Sequence, residues 1–138
     1  MNIFVDTNIL LDVLANREPF YAASARIWSL AECGEVIAYI SVISYNNVYY
    51  VVRKIAGKEK ALEAMKLIRG VFKTVAANEQ VINQSIDSGF GDFEDAIQYY
   101  SAARIHAKHL ITRNPRHFPE SSISILSPDE FLAVWNLK

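Results

Sequence analysis

Apolar residues fall along this chain in two rhythms. Short unbroken or alternating runs occupy Asn2–Asp6, Val36–Ser41, Val71–Val75, His109–Thr112 and Ile123–Leu126. Runs of that kind predict buried strands. Between them the apolar positions recur at helical spacing. Ile9–Ala15 predicts a helix that Thr7 or Asn8 would cap. A second helix restarts at Glu18-Pro19, reaches about Cys33 and stops at Gly34. Ser44–Ala56 predicts a tyrosine-rich helix ending at Gly57. Lys58–Arg69 is amphipathic, with Ala61, Leu62, Met65 and Ile68 on one face, and ends at Gly70. Asn78 caps a helix through about Asp87, and Ser88-Gly89-Phe90-Gly91 reads as a loop. Asp92 or Phe93 opens a helix to about Ala107. Near the end, Ser127, Pro128 and Glu130 form a capping box before a helix reaching about Leu137.

Strands that alternate with helices imply βα units. The expected fold is therefore α/β, with a central, mostly parallel sheet of about five strands covered by helices on both faces. No repeat, low-complexity tract or linker divides the chain, so residues 1–138 are read as one domain.

Composition narrows the class. Hydrophobic residues make up 51% and charged residues 21%, the balance of a soluble globular protein rather than a disordered one. The longest apolar stretch, Val36–Val52, is interrupted by Ser41, Ser44, Asn46 and Asn47, so no membrane span is expected. The start lacks the marks of a signal peptide, and Cys33 is the single cysteine. A cytoplasmic protein without disulfide or cysteine-based zinc site is the natural expectation. The net charge of −1 hides an uneven distribution. Seven basic residues and two acids lie between Arg53 and Lys73. Four basic residues, three histidines and no acid lie between Arg104 and His117. Taken alone, such stretches are ordinary solvated faces.

In sheets of this type ligands gather beyond the carboxyl ends of the strands. Asp6 follows the first strand, and Thr112, Arg113 and Asn114 follow the fourth. Asp92, Glu94 and Asp95 open the helix before that strand, and Ser44–Asn47 open another helix. All fall at one edge. Each also has a plainer reading: Asp6 and Asp92 as helix caps, Asp95 as a first-turn acid, Glu94 as a solvent-facing residue, Thr112 and Asn114 as turn residues before Pro115. Converging carboxylates repel unless a cation holds them, and oxygen-rich sites suit Mg²⁺ or Mn²⁺. Water activated by such an ion is well matched to phosphodiester hydrolysis.

Three segments carry a family resemblance. They are Phe4-Val5-Asp6-Thr7-Asn8-Ile9-Leu10-Leu11-Asp12, Asp92-Phe93-Glu94-Asp95-Ala96-Ile97-Gln98-Tyr99, and Leu110-Ile111-Thr112-Arg113-Asn114 with Phe118 following. In this order and spacing the chain resembles the PIN domain family, including ribonuclease toxins of the VapC type. The resemblance implies a three-layer PIN-like fold and a metal-dependent endoribonuclease that cleaves single-stranded RNA through a metal-activated water. It implies Asp6 and Asp95 as metal ligands and Asp92 as a further catalytic carboxylate at the same mouth. Thr7, Asn8, Thr112 and Asn114 would shape the site. Arg113 and Arg116 are the expected phosphate contacts. A toxin of this kind would pair with an antitoxin protein.

One position departs from the family pattern. Asn47 stands where relatives carry a glutamate, and an amide offers neither negative charge nor a general base. Arg116-His117-Phe118 likewise replaces a frequent basic-Asp-Phe pattern. The second reading is accordingly a weakened or inactive PIN-like module that binds RNA or protein. Tyr45, Tyr49 and Tyr50 are read as core or homodimer-face residues in preference to base-stacking ones. His106, His109 and His117 have no zinc-like spacing. A haloacid-dehalogenase-type phosphatase would need a second aspartate two residues after the first, where Asn8 stands. A receiver domain would need paired acids and a late lysine, which the chain does not supply.

Overall fold

The computed structural model describes residues 1–119 and 121–137. Five strands, β1 (Asn2–Val5), β2 (Ile37–Ser41), β3 (Lys73–Val75), β4 (His109–Ile111) and β5 (Ser124–Leu126), form one sheet in the order β3-β2-β1-β4-β5. Every neighbouring pair is parallel. The helices are α1 (Thr7–Leu14), α2 (Tyr21–Glu32), α3 (Val42–Ala56), α4 (Lys58–Val71), α5 (Glu79–Asp87), α6 (Phe93–Arg104) and α7 (Pro128–Asn136). A 3-10 turn, Pro115–His117, which the periodicity did not signal, follows β4.

Alternation along the central strands divides the core. Ile3, Val5, Ala38, Ile40 and Ile111 pack beneath α1, α2, α3 and α7 with Ile9, Leu10, Ile27, Leu30, Val48 and Phe131. Phe4 and Leu110 point to the opposite face, where they meet Val75, Ala102, Phe118 and Ile123. Successive residues of a strand point to opposite faces, so both layers are filled by the same short strands.

The chain order places a reversal between β1 and β4. The chain runs from β1 outward to β2 and β3, then returns to lay β4 on the free side of β1. Such reversals open a crevice at the carboxyl ends of the strands. Val5 pairs with Ile111, so Asp6 and Thr112 leave the sheet side by side.

Several boundaries differ from the sequence expectation. Of the candidate caps Asp6, Thr7 and Asn8, it is Asp6 that caps α1, and the helix begins at Thr7, ahead of the Ile9 start that the apolar spacing suggests. Strand and helix are therefore joined by one residue. Gly70 lies inside α4, which runs to Val71; Phe72 is then drawn into the core while its N–H bonds Ile68. Helix α6 ends at Arg104, earlier than expected, because His106 adopts a left-handed conformation (φ 51°). The Ala107 N–H then closes back onto the Ala102 carbonyl, a Schellman-type ending. The capping box at Ser127 and Glu130 forms as the sequence predicts.

Candidate active site

Asp6 is the centre of the carboxyl edge. Its backbone N–H donates to the Ile111 carbonyl at 3.0 Å, extending the sheet by one residue. Its side chain is turned inward and is only 6% exposed. The Thr7 N–H donates to Oδ1 at 2.7 Å, and the Thr112 hydroxyl donates to Oδ2 at 2.9 Å. Both bonds favour the ionised carboxylate, yet burial outweighs them. Burial, with the charges of Asp95 and Glu94 adding to it, pushes the Asp6 carboxyl up to about 6. A carboxylate desolvated beside other acids is a place where a cation is wanted.

The other acids arrive on the first turn of α6. Asp92 caps that helix, its Oδ1 accepting from the Asp95 N–H at 2.9 Å. Asp95 is half-buried, and its pKa is raised by burial and by the charges of Asp92 and Glu94, while His117 lowers it. Asp6 thus feels the charges of Asp95 and Glu94, and Asp95 feels those of Asp92 and Glu94, although Asp6 and the α6 acids are far apart in sequence.

A buried polar tie lies alongside them. The hydroxyls of Thr7 and Ser44 are hydrogen-bonded at 2.8 Å. The Gln98 amide nitrogen donates to both, at 2.9 Å to Thr7 and 3.2 Å to Ser44. Gln98 is fully buried. Each member neighbours a position of interest: Thr7 follows Asp6, Gln98 lies one turn beyond Asp95, and Ser44 one turn before Asn47. The tie therefore couples the opening turns of α1, α3 and α6. Ser41 caps α3 through the Ile43 N–H at 3.2 Å, so that helix follows β2 without a loop.

The remaining expected positions are placed as follows. Asn8 is partly buried in the first turn of α1, and Asn47 is partly buried on α3. Asn114 is exposed, and its N–H donates to the Thr112 hydroxyl at 3.3 Å. Arg116 is exposed on the 3-10 turn. Arg113 is committed elsewhere. Its guanidinium forms a two-pronged bond to the fully buried Asp12 and lies 4.0 Å over the Phe20 ring. The Asp12 hydrogen bond is the main reason its pKa is raised.

Sequence reasoning gave no role to Asp12, Gln98 or His117. Asp12 had a usable signal: an acid within Ile9-Leu10-Leu11-Asp12-Val13-Leu14 must be buried, and a buried acid needs a cation. Gln98 carried a fainter one, a polar residue on the helix face that also presents Asp95.

The donor set can be tested against a divalent ion. Among the described residues no three acids, histidines or cysteines converge closely enough to cage a metal. The candidate donors are carboxylate oxygens, and each oxygen of Asp6 keeps a lone pair beyond the bond it accepts. Hard oxygen donors, few in number, fit Mg²⁺ or Mn²⁺, which retain several waters and lean on one or two carboxylates.

The family model described as PIN domain matches residues 2–116. The chain belongs to the PIN domain family. Solved structures show how far this PIN domain's fold is shared. VapBC-1 from nontypeable Haemophilus influenzae matches with a TM-score of 0.70 at 19% identity, over 94% of this chain and 99% of that one. VapBC2 from Rickettsia felis, bound to a fragment of its promoter DNA, gives 0.66 at 16% identity, over 91% and 97%. VapC20 from Mycobacterium tuberculosis, described as a toxin that cleaves the sarcin-ricin loop, gives 0.63 at 14% identity, over 78% and 86%. No curated protein matches this PIN domain. At these identities the likeness is one of fold.

Proposed function

We propose that this PIN domain is a divalent-metal-dependent endoribonuclease that cuts single-stranded RNA. The observation that carries the reading is Asp6: buried, oriented by Thr7 and Thr112, and held at a pKa of about 6 by burial and by the charges of Asp95 and Glu94. Asp6 and Asp95 are the proposed ligands of Mg²⁺ or Mn²⁺, with Asp92 as a further acid at the rim. The ion, when bound, would supply charge neutralisation and a more acidic water. Thr112 and Thr7 hold the Asp6 carboxylate in one orientation, so its free lone pairs face a fixed direction. Thr7, Ser44 and Gln98 fix the distance between the α1 and α6 turns that present Asp6 and Asp95. Asn8, Asn47 and Asn114 line the same edge as neutral polar groups. Arg116 is the exposed cation for substrate phosphates, and Arg113 contributes as a positioned charge whose field reaches Asp6.

The test is cleavage of an unstructured RNA by the purified protein with Mn²⁺, beside Asp6→Asn. Cutting that is lost in the variant supports the proposal. Cutting that persists in the variant refutes it.

Asn47 favours a second reading, a PIN domain that binds RNA without cutting it. RNA retention by gel shift with no Mn²⁺-dependent products would establish that reading. The solved neighbours include a toxin–antitoxin complex from Klebsiella pneumoniae, so an antitoxin partner is proposed as well. Homodimerisation through Tyr49, Tyr50 and Val52 of α3 is proposed too, and light scattering tests it; Tyr50 is 60% exposed. No helix among the described residues is long and apolar enough to cross a membrane.

A further inference from the structure

Beside the acidic group lies a cleft of about 390 Å³ whose chemistry is the opposite. It is lined by the loop Ser88–Gly91 on one side and by Arg116–Pro119 on the other. The described lining contains Arg116 and His117 and no acid, although Asp92 follows directly in the chain. The cleft and the acids are neighbours, because Gly91 of its lining is followed directly by Asp92, the cap of α6.

Three features make the cleft fit a nucleotide. Its volume accepts a base with its sugar. Phe90 lines it with a partly buried ring, 6.2 Å from Phe118 and 5.6 Å from Tyr99, so the ring is held in place by other aromatics. Gly89 has φ +75° and open space where a Cβ would stand. A ligand can therefore approach the loop backbone closely.

The geometry points to a nucleotide subsite: the residue of the RNA strand next to the cleaved linkage seats its base against Phe90 and its phosphate on Arg116 and His117. The inference rests on the ribonuclease reading, since it takes the acids as the place where the strand is cut. It adds where the flanking nucleotide goes and which residues take it. Base-on-ring contact tolerates any base, so the subsite confers single-strand preference rather than sequence preference.

Two measurements test it. Amide NMR shifts of the wild-type protein are followed during titration with adenosine monophosphate. Binding of an unstructured adenylate oligonucleotide to Asp6→Asn protein, which holds cutting silent, is compared with Asp6→Asn carrying Phe90→Ala or Arg116→Ala. The expected result is shifts centred on Gly89, Phe90, Gly91 and His117. Phe90→Ala should weaken oligonucleotide binding about ten-fold. Arg116→Ala should weaken it and lower the salt slope by roughly 0.7. Arg116 is exposed and outside the core, so its variant remains informative should Phe90→Ala lower the melting temperature. RNA binding unchanged in both variants, or shifts elsewhere on the surface, overturns the subsite while leaving the ribonuclease reading intact. Nucleotide binding in the cleft without RNA cleavage under any divalent metal keeps the subsite and overturns the ribonuclease.

Discussion

Replacing Asp6 with asparagine should make the metal-free protein more stable at neutral pH. The carboxyl moves from 3.8 to about 6 on folding, chiefly because burial disfavours its charge. A raised folded-state pKa means the native state binds more protons than the unfolded chain across that interval. Stability is then highest below the unfolded value and falls as pH rises through about 6. A shift of about two units is worth about 3 kcal/mol at neutral pH, at 1.36 kcal/mol per unit. Asparagine removes the charge and keeps the geometry. Its Oδ1 still accepts from the Thr7 N–H, and its amide can donate to the Thr112 hydroxyl oxygen. The gain should approach about 3 kcal/mol, or roughly 10 °C in melting temperature for a chain of this size. Urea melts of both proteins at about pH 7.5 and about pH 4 are the assay, with metal removed by chelation. The gap should be wide at the first pH and nearly closed at the second. Mn²⁺ should raise the melting temperature of the wild type alone. Equal or lower stability of the variant at neutral pH, or a gap that persists into acid, would refute the reasoning.

Other expectations follow from the same geometry. Arg113→Ala leaves Asp12 buried without its partner and should cost about 3–5 kcal/mol in chemical denaturation, whereas a loss below about 1 kcal/mol would show the pair to be dispensable. Gln98→Met removes the amide that ties Thr7 to Ser44; Mn²⁺ affinity by calorimetry should fall about ten-fold while RNA affinity holds, in line with other residues that orient metal ligands. An unchanged Mn²⁺ affinity would reduce Gln98 to a packing role. Asn47→Glu should tighten Mn²⁺ binding if that side chain faces the ion, and calorimetry showing no change places it outside the site.

The parts of the fold that were legible in the sequence are those governed by local chemistry. Asn78, Ser127 and Glu130 announce helix starts because their side chains bond the next turn, and the structure places those caps where the sequence does. The central strands are short and apolar on both faces, so their existence is plain. Their ends are less so, because capping residues belong equally to the strand before and the helix after. Asp6 shows the ambiguity: it caps a helix and is also the proposed metal ligand, and the two readings are not rivals. The early end of α6 was hidden because it depends on His106 taking a left-handed conformation, for which histidine carries little signal. That Asp6 leaves the central strand at the carboxyl edge of the sheet was foreseeable from topology. The Asp12–Arg113 pair and the Thr7–Ser44–Gln98 tie were not assigned, since both join residues whose proximity is set by packing of whole layers.

The junctions at Asp6 and at Ser41 leave no spare chain between strand and helix. An added residue there would turn α1 or α3 by about 100° about its own axis and swing its polar side chains off the crevice. The architecture therefore accepts exchange of letters at this end and resists change of length. New termini, tags or inserted peptides belong at the opposite pole, where Gly34 closes the passage from α2 to β2.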